Sequence, residues 1–496
     1  MYDIDKSTVC AAILVKTVDN HKEKFSMIVR HFSVLCLTST LVAIMLLISR
    51  PTLSFTGITN RVRSQGKRKL VRSATTSDSS VFDTRTNYDN GITFDPIHYE
   101  PRDFFRYELI HQSKKPGSLA RVGRIHTPHG IIDTPGFVAV ATNGALKGLS
   151  FEDADRSNQQ LVFCNSYHLL LHPGPDIIEA AGGLHAFTKR DTNRPFITDS
   201  GGFQVFSLAY GSVHEELTSK GELKKSHGKN KHRKVIKNPV NVTEEGVIFR
   251  SYRDGSKIKL TPETTVQAQK AYGSDIIIPL DELPPFHIDR ERLEKSVALS
   301  HRWETRSLKE HLKDTRKQAM YCVVHGGLDV ELRRKSVEYL TSLPFDGFAI
   351  GGSLGSNHEE LMDLLAWMMP MFEVDDRKSK PRHLLGIADE AGVMGAVAKG
   401  FDTMDSCYPT RIARHGTFLT REGKLHIKSS KHSRSFGVPI DKNCSCTTCQ
   451  KYDRAYLWHL YKAKEPLFIQ LAAQHNIHYM NDFMAQIRKD IMEDKM

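Results

Sequence analysis

The side chains that could do chemistry fall into two groups. Cys444, Cys446 and Cys449 form a C-x-C-x2-C cluster near the C-terminus of a chain otherwise poor in cysteine. Three thiols this close can wrap one tetrahedral ion and leave a fourth corner for nitrogen. His459, His475 and His478 lie downstream as candidates for that corner, and spacing does not choose among them. Three thiolates and an imidazole would leave no open position, so the pattern predicts a structural zinc rather than a catalytic one. The other group is dispersed: Asp199, Asp281, His325, Gly351, Gly352 and Gly386 each follow or end a short apolar run. Carboxylates gathered at one site suit acid–base work and glycosidic-bond chemistry.

Those apolar runs are LVFCNS (Leu161 to Ser166), RPFITDSGG (Arg194 to Gly202), DIIIPLDE (Asp275 to Glu282), MYCVVHGG (Met320 to Gly327), DGFAIGG (Asp346 to Gly352) and HLLGIAD (His383 to Asp389). Their lengths and compositions are those of buried parallel strands. Helix-like segments lie between the later ones: ERLEKSVALSHRWETRSLKEHL, VELRRKSVEYL and HEELMDLLAWMM. This alternation predicts an α/β fold with a parallel sheet or barrel. In a barrel, strand ends converge on one face, so residues scattered along the chain could meet in one pocket. Asp275 and Asp402 read as caps or surface groups, and Cys164, Cys322 and Cys407 as core residues or bystanders.

The chain has 496 residues, 40% of them hydrophobic, enough for a large core and too many for global disorder. The 69 basic against 57 acidic residues give +12, which suits an anionic partner such as nucleic acid or a membrane surface. Eight cysteines are too few for a disulfide scaffold of this length. Residues 1 to about 100 read as an address outside the globular fold. Phe32 to Ser49 is uncharged and apolar, of a length marginal for a bilayer span. The stretch after it carries Arg61, Arg63, Lys67, Arg68, Lys69 and Arg72 with no acid until Asp78, the composition of an organellar transit peptide. A plastid-type or mitochondrial presequence, a plain membrane anchor and a cytoplasmic catalytic domain remain open. A second break in the pattern, Lys220 to Lys237 within an insertion at about 215–240, carries eight basic residues against Glu222 and reads as a solvated loop.

TDSGGFQVFS (Thr198 to Ser207), LDE (Leu280 to Glu282), HGG (His325 to Gly327), FAIGG (Phe348 to Gly352), MDSCYPTRIAR (Met404 to Arg414) and the cysteine cluster occur in one order. Together they resemble the tRNA-guanine transglycosylases, over roughly Tyr107 to the C-terminus. The resemblance implies a (β/α)8 TIM barrel from about residue 105 to 496, with a zinc-bearing insertion at about 440–480. It implies exchange of guanine at the anticodon wobble position of a tRNA with a GUN-type anticodon, without cutting the backbone. Asp405 would be the nucleophile at the ribose C1′ and Asp199 the general acid/base. Asp199, Ser200, Gly201, Gly202, Phe203, Asp281, His325, Gly351 and Gly352 would bind the base, guanine or queuine. Gly386, Ile387, Ala388, Asp389, Glu390, Ala391 and Gly392 would line the RNA path. Thr410, Arg411, Ile412, Ala413 and Arg414 would place the wobble nucleotide. His475 would complete Cys444, Cys446 and Cys449 around Zn2+. A dimer is implied, with an identical copy or a catalytically silent paralogue.

The chemistry fits those residue types. Breaking an N-glycosidic bond builds positive charge on the sugar, which a carboxylate can stabilise and then trap covalently. A second carboxyl shuttles the proton of the base, and a third accepts from guanine-like N–H donors. The wobble base must leave its stack to enter. The sequence departs from the family at His325, where glutamine is usual, and in the order Gly352-Ser353-Leu354-Gly355. Phe203, Leu283 and Gly355 stand where bacterial members tend to have Tyr, Cys and Val, which points to a eukaryote-type enzyme that inserts preformed queuine. The rivals are a bacterial-type enzyme using a smaller 7-deazaguanine, a silent accessory subunit and a glycoside hydrolase. The last leaves the cysteine cluster unexplained.

Overall fold

The computed structural model describes residues 102–210, 240–286 and 288–496. The apolar segment 32–49 and the basic stretch 220–237 lie outside them. A three-stranded antiparallel sheet comes first: β1 (Arg106–Gln112), β2 (Arg121–Thr127) and β3 (Gly130–Thr134). Eight parallel strands then close into a barrel: β4 (Gly136–Val140), β5 (Val162–Cys164), β6 (Phe196–Thr198), β10 (Ile276–Ile277), β11 (Ala319–Val324), β12 (Gly347–Ile350), β13 (Arg382–Leu384) and β14 (Thr403–Ser406), with β14 pairing back to β4. Between β6 and β10 sits a small antiparallel sheet of β7 (Asn241–Thr243), β8 (Gly246–Arg250) and β9 (Lys257–Leu260). A hairpin of β15 (Thr417–Thr420) and β16 (Gly423–His426) follows the barrel.

The helices that position the site are α1 (Gly202–Tyr210), α2 (Arg290–Leu312), α3 (Val330–Thr341), α4 (His358–Met368), α5 (Glu390–Ala398), α6 (Tyr408–Arg414), α7 (Thr447–Lys451) and α8 (Pro466–Met492). The start of α2 is set by Asp289, whose side chain accepts from the Arg292 N–H. Val297, His301, Trp303, Glu304 and Leu308 form its buried face. Asp329 and Asn357 cap α3 and α4 in the same way.

Side-chain alternation decides what enters the barrel lumen. On β11, Ala319, Tyr321 and Val323 belong to the inner cluster, while Met320, Cys322 and Val324 pack outward with the helices. On β4 and β12, Val138 and Ala349 point inward, and Phe137, Ala139, Phe348 and Ile350 outward. Met404 and Leu384 are outward. The same parity turns Thr403 and Asp405 of β14, and His383 of β13, toward the lumen. A full burial of one such Val, Leu or Ile contributes about 1.5–3 kcal/mol.

The N-terminal end of the barrel is plugged by the first sheet, whose Ile125 and Ile132 join the inner cluster. Acids tie the strands together there. Asp402 accepts from the Arg382 N–H at 2.7 Å, from Tyr107 Oη at 2.8 Å and from Arg121 Nε and Nη2 at 3.0 and 2.5 Å. Asp275 accepts from the Phe196 N–H at 2.9 Å and from His129 N and Nδ1 at 3.1 and 2.9 Å. Asp346 accepts from the Met320 N–H at 2.7 Å and pairs with Arg102. Asp275 and Asp402 are therefore neither helix caps nor surface groups: they are 1% and 0% exposed, and each precedes a strand and ties it to its neighbour.

Candidate active site and metal centre

The opposite rim of the barrel carries the other acids. Asp405 sits within β14 and is buried. Its Oδ1 accepts from the Gly386 N–H at 2.9 Å and faces His383 Nε2 at 3.2 Å. A carboxylate only accepts, so His383 carries its proton on Nε2, and Nδ1 accepts from Thr403 Oγ1 at 2.9 Å. His383 is fully buried, with Phe163 stacked 6.1 Å from its ring. Among the described residues nothing donates to Oδ2, which leaves one oxygen of a fixed carboxylate for a substrate.

Asp199 follows β6 and keeps an opening to solvent. Oδ1 accepts from the Ser166 N–H at 2.7 Å and the Gly201 N–H at 3.2 Å; Oδ2 accepts from Asn165 Nδ2 at 2.8 Å and Gln204 Nε2 at 3.3 Å. The surrounding barrel pushes its carboxyl up to about 6, and these donors oppose that rise. A group so placed gives and takes protons near neutrality. Gly201 has φ +84°, and a Cβ there would lie 2.9 Å from the Tyr167 nitrogen, so the turn after Asp199 admits only glycine. Ser200 and Gly202 are buried beside it, whereas Phe203 on α1 is 48% exposed and offers a ring at the rim.

Asp281 follows β10, and its Oδ2 lies 3.1 Å from Nε2 of the buried His325. The loops after β11 and β12 are held by Arg333 of α3. Its buried guanidinium donates to the carbonyls of Gly327, Val324, Gly351 and Ser353 at 2.6–2.9 Å. A cavity of about 240 Å³ opens beside these loops, lined by His325, Gly352 and Ser353 and by the apolar Pro284, Pro285, Leu293 and Val297. Asp199 and Asp405 do not line it. Gly355 does not line it either. Gly355 has φ +104°, and a Cβ there would meet Glu360 Cβ at 2.8 Å, so backbone conformation accounts for this glycine.

The segments expected to meet RNA divide by burial. Gly386, Asp389, Ala391 and Arg411 are exposed, and Ile387, Glu390, Ile412 and Arg414 half-buried. Ala388, Gly392, Thr410 and Ala413 are buried. They pack α5 and α6 and thereby hold the exposed members. Glu390 accepts from Tyr479 of α8. Arg414 has a buried Nη1 without a hydrogen-bond partner among the described residues.

The second cluster is assembled by α7 and α8. Cys444, Cys446 and Cys449 Sγ lie 3.8, 3.4 and 3.2 Å from His475 Nδ1. Bonds of about 2.3 Å to sulfur and about 2.1 Å to nitrogen give tetrahedral edges of similar length, so the donor set fits one ion. Nε2 of His475 donates to the Leu419 carbonyl at 2.7 Å, which leaves Nδ1 as the ligand nitrogen. His478 instead faces Ser445 Oγ at 3.2 Å, and His459 packs near the Tyr456 ring. Asn476 braces the same helix, accepting from the Leu419 N–H and donating to the carbonyls of Pro409 and Thr417, each at 3.0 Å.

Sequence reasoning did not single out His383, Asn165, Arg333 or Glu304. Strand parity alone could have flagged His383, since Leu384 beside it belongs outside the barrel.

Fold and site together define a TIM barrel with carboxylates at its C-terminal rim and a Cys3His centre in an appended subdomain. The model of the family described as queuine tRNA-ribosyltransferase matches residues 116–496. Proteins called queuine tRNA-ribosyltransferase from Protochlamydia amoebophila and Chlamydia abortus are 54% and 51% identical over 391 and 395 residues, covering 79% of this chain and 96% and 99% of theirs. The Chlamydia felis protein of that name is 50% identical over 395 residues. This chain belongs to the queuine tRNA-ribosyltransferase family, whose members are pentosyltransferases of the tRNA-guanine transglycosylase class.

Proposed function

We propose that this chain removes guanine from the wobble position of a tRNA with a GUN-type anticodon and installs queuine through a ribosyl ester on Asp405. The observation that carries this reading is the posture of Asp405, with Oδ1 tied to Gly386 and His383 and Oδ2 free. As the C1′–N9 bond of guanine breaks, positive charge grows on the ribose and Oδ2 closes on C1′. Asp199 supplies a proton to the leaving base and takes one from the incoming base. The ester keeps the ribose from water while the bases change places. Asp281 accepts from the N–H edge of the base, and the Gly351–Gly352 backbone, fixed by Arg333, frames it. Phe203 provides a stacking surface for a nucleotide at the mouth, and Arg411 and Arg414 meet the phosphates.

Queuine as the incoming base is supported by the 240 Å³ cavity beside Gly352, which has room for a substituent, and by the name the chlamydial relatives carry. Turnover with a smaller aminomethyl deazaguanine but none with queuine would contradict it. Zinc held by Cys444, Cys446, Cys449 and His475 would fasten α8 to the segment that carries the three cysteines, and it takes part in no chemical step. Both Asp199 and Asp405 are present and oriented, which favours a catalytic chain over a silent partner; pairing with a second copy or a paralogue belongs to the same proposal. Labelled guanine should enter tRNA with wild type and not with Asp405→Ala. Labelling that survives this substitution would overturn the assignment.

A further inference from the structure

The base pocket is backed by a buried acid that the reaction above does not use. Glu304 of α2 is fully buried, and its Oε2 accepts from the Val323 N–H at 2.8 Å. Among the described residues its Oε1 has no hydrogen-bond partner, and it faces His325 Nε2 at 3.8 Å. The same ring nitrogen is 3.1 Å from Asp281, and Nδ1 is turned toward Gly352, 3.1 Å from where a Cβ would stand. A guanine-type base presents a carbonyl oxygen and N–H donors side by side. Asp281 meets the donors. The carbonyl needs a donor from the protein, and His325 supplies one only when its proton is on Nδ1.

We propose that Glu304 is a positioning residue for the incoming base: as a neutral carboxylic acid it donates to His325 Nε2 and so fixes the tautomer whose Nδ1–H binds the base carbonyl. The inference rests on the transglycosylase reading of the site. In the free protein Nε2 stands 3.1 Å from Asp281 Oδ2 as an ion-pair contact, without hydrogen-bond geometry. When the base takes Asp281, the imidazole proton passes from Nε2 to Nδ1 through solvent, and Glu304 O–H closes roughly 1 Å to reach the vacated lone pair. No net proton is gained or lost. Burial beside Asp281 pushes the Glu304 carboxyl well above the usual range, in keeping with an acid retained as a donor. The other titratable groups around the pair do not replace that donor. His301 Nε2 faces Ser336 Oγ at 3.0 Å, Cys322 is a buried thiol, and Arg333 is engaged by four carbonyls.

The test is labelled-guanine exchange into tRNA by the full chain and its variants. Glu304→Gln keeps an acceptor for Val323 and an N–H donor for His325, so its KM for guanine stays within about twofold of wild type. Glu304→Met removes the donor and raises that KM about tenfold, while kcat at saturating guanine and formation of the tRNA adduct change less than about threefold. In a His325→Gln background, Glu304→Met adds nothing. The wild-type KM climbs at alkaline pH as Glu304 loses its proton, and Glu304→Gln removes that climb. Equal damage from Gln and Met would overturn the inference, as would a Met variant indistinguishable from wild type or one that loses kcat and adduct formation alongside KM. If Glu304→Met does not fold, Glu304→Gln decides alone: a tenfold rise in its KM contradicts a neutral donor. Absence of exchange by wild type would instead reject the reading of the site itself.

Discussion

The two ends of one barrel use aspartate in opposite ways. At the N-terminal end, Asp275, Asp346 and Asp402 each accept a backbone N–H from the neighbouring strand and are matched by His129, Arg102 and Arg121. Their oxygens are spent on holding strands together. At the C-terminal rim, among the described residues, Asp405 has one oxygen tied and one free, and Asp281 lies 3.1 Å from His325 Nε2 without a hydrogen bond to it. Asp199 is held mostly by neutral donors, which orient it without a matching cation. The same side chain is structural where a cation and the backbone saturate it, and keeps acceptor capacity where they do not. Barrel architecture separates the two uses by about the length of a strand.

The contrast breaks most sharply if the ends are swapped by mutation. Asp405→Ala should cut guanine exchange by at least about 10³-fold and leave the melting temperature near that of wild type, as read by a parallel thermal scan. Asp402→Ala should do the reverse. It leaves Arg121 buried without its partner and costs about 3–5 kcal/mol in denaturant unfolding, with activity per folded molecule retained. A smaller effect sharpens the account of the rim. His383→Leu loses one hydrogen bond to Asp405 and should slow adduct formation about tenfold in a single-turnover measurement. The smallest concerns Asp199. Asn165→Ala removes a donor to its carboxylate form, so the ionised state loses support and the group titrates higher. The limb of the pH–rate profile expected near 6 should move up by about half a unit to one unit.

Much of the barrel was legible because parallel strands buried on both faces read as short apolar runs. LVFC, FIT, AMYCVV and GFAI were visible on those grounds, and α2 and α3 as helix-like segments between the runs. The strand that carries Asp405 was not. In TMDS only Met404 is apolar, because Thr403 and Asp405 face the lumen where polar chemistry is wanted. A strand with its polar side inward looks like a turn. Asp275 and Asp402 were misread as caps or surface groups for a related reason: their partners Arg121, Tyr107 and His129 are remote in sequence, and burial of an acid shows only once they meet. The motif order pointed to Asp199, Asp281 and Asp405, but the residues that brace the proposed site, His383 and Arg333, come from other elements and carry no motif of their own. For the zinc corner, spacing left three histidines, and the fold chose by turning one helix so that His475 alone faces the three sulfurs.

The central claim is that the free oxygen of Asp405 bonds to an anticodon sugar. It is tested most directly by trapping the complex of chain and tRNA, digesting it and locating the modified peptide by mass spectrometry. The account predicts a ribosyl mass on the peptide containing Met404 to Arg414, placed on Asp405 and lost in Asp405→Ala. A ribosyl group on any other residue, Asp199 included, would contradict it.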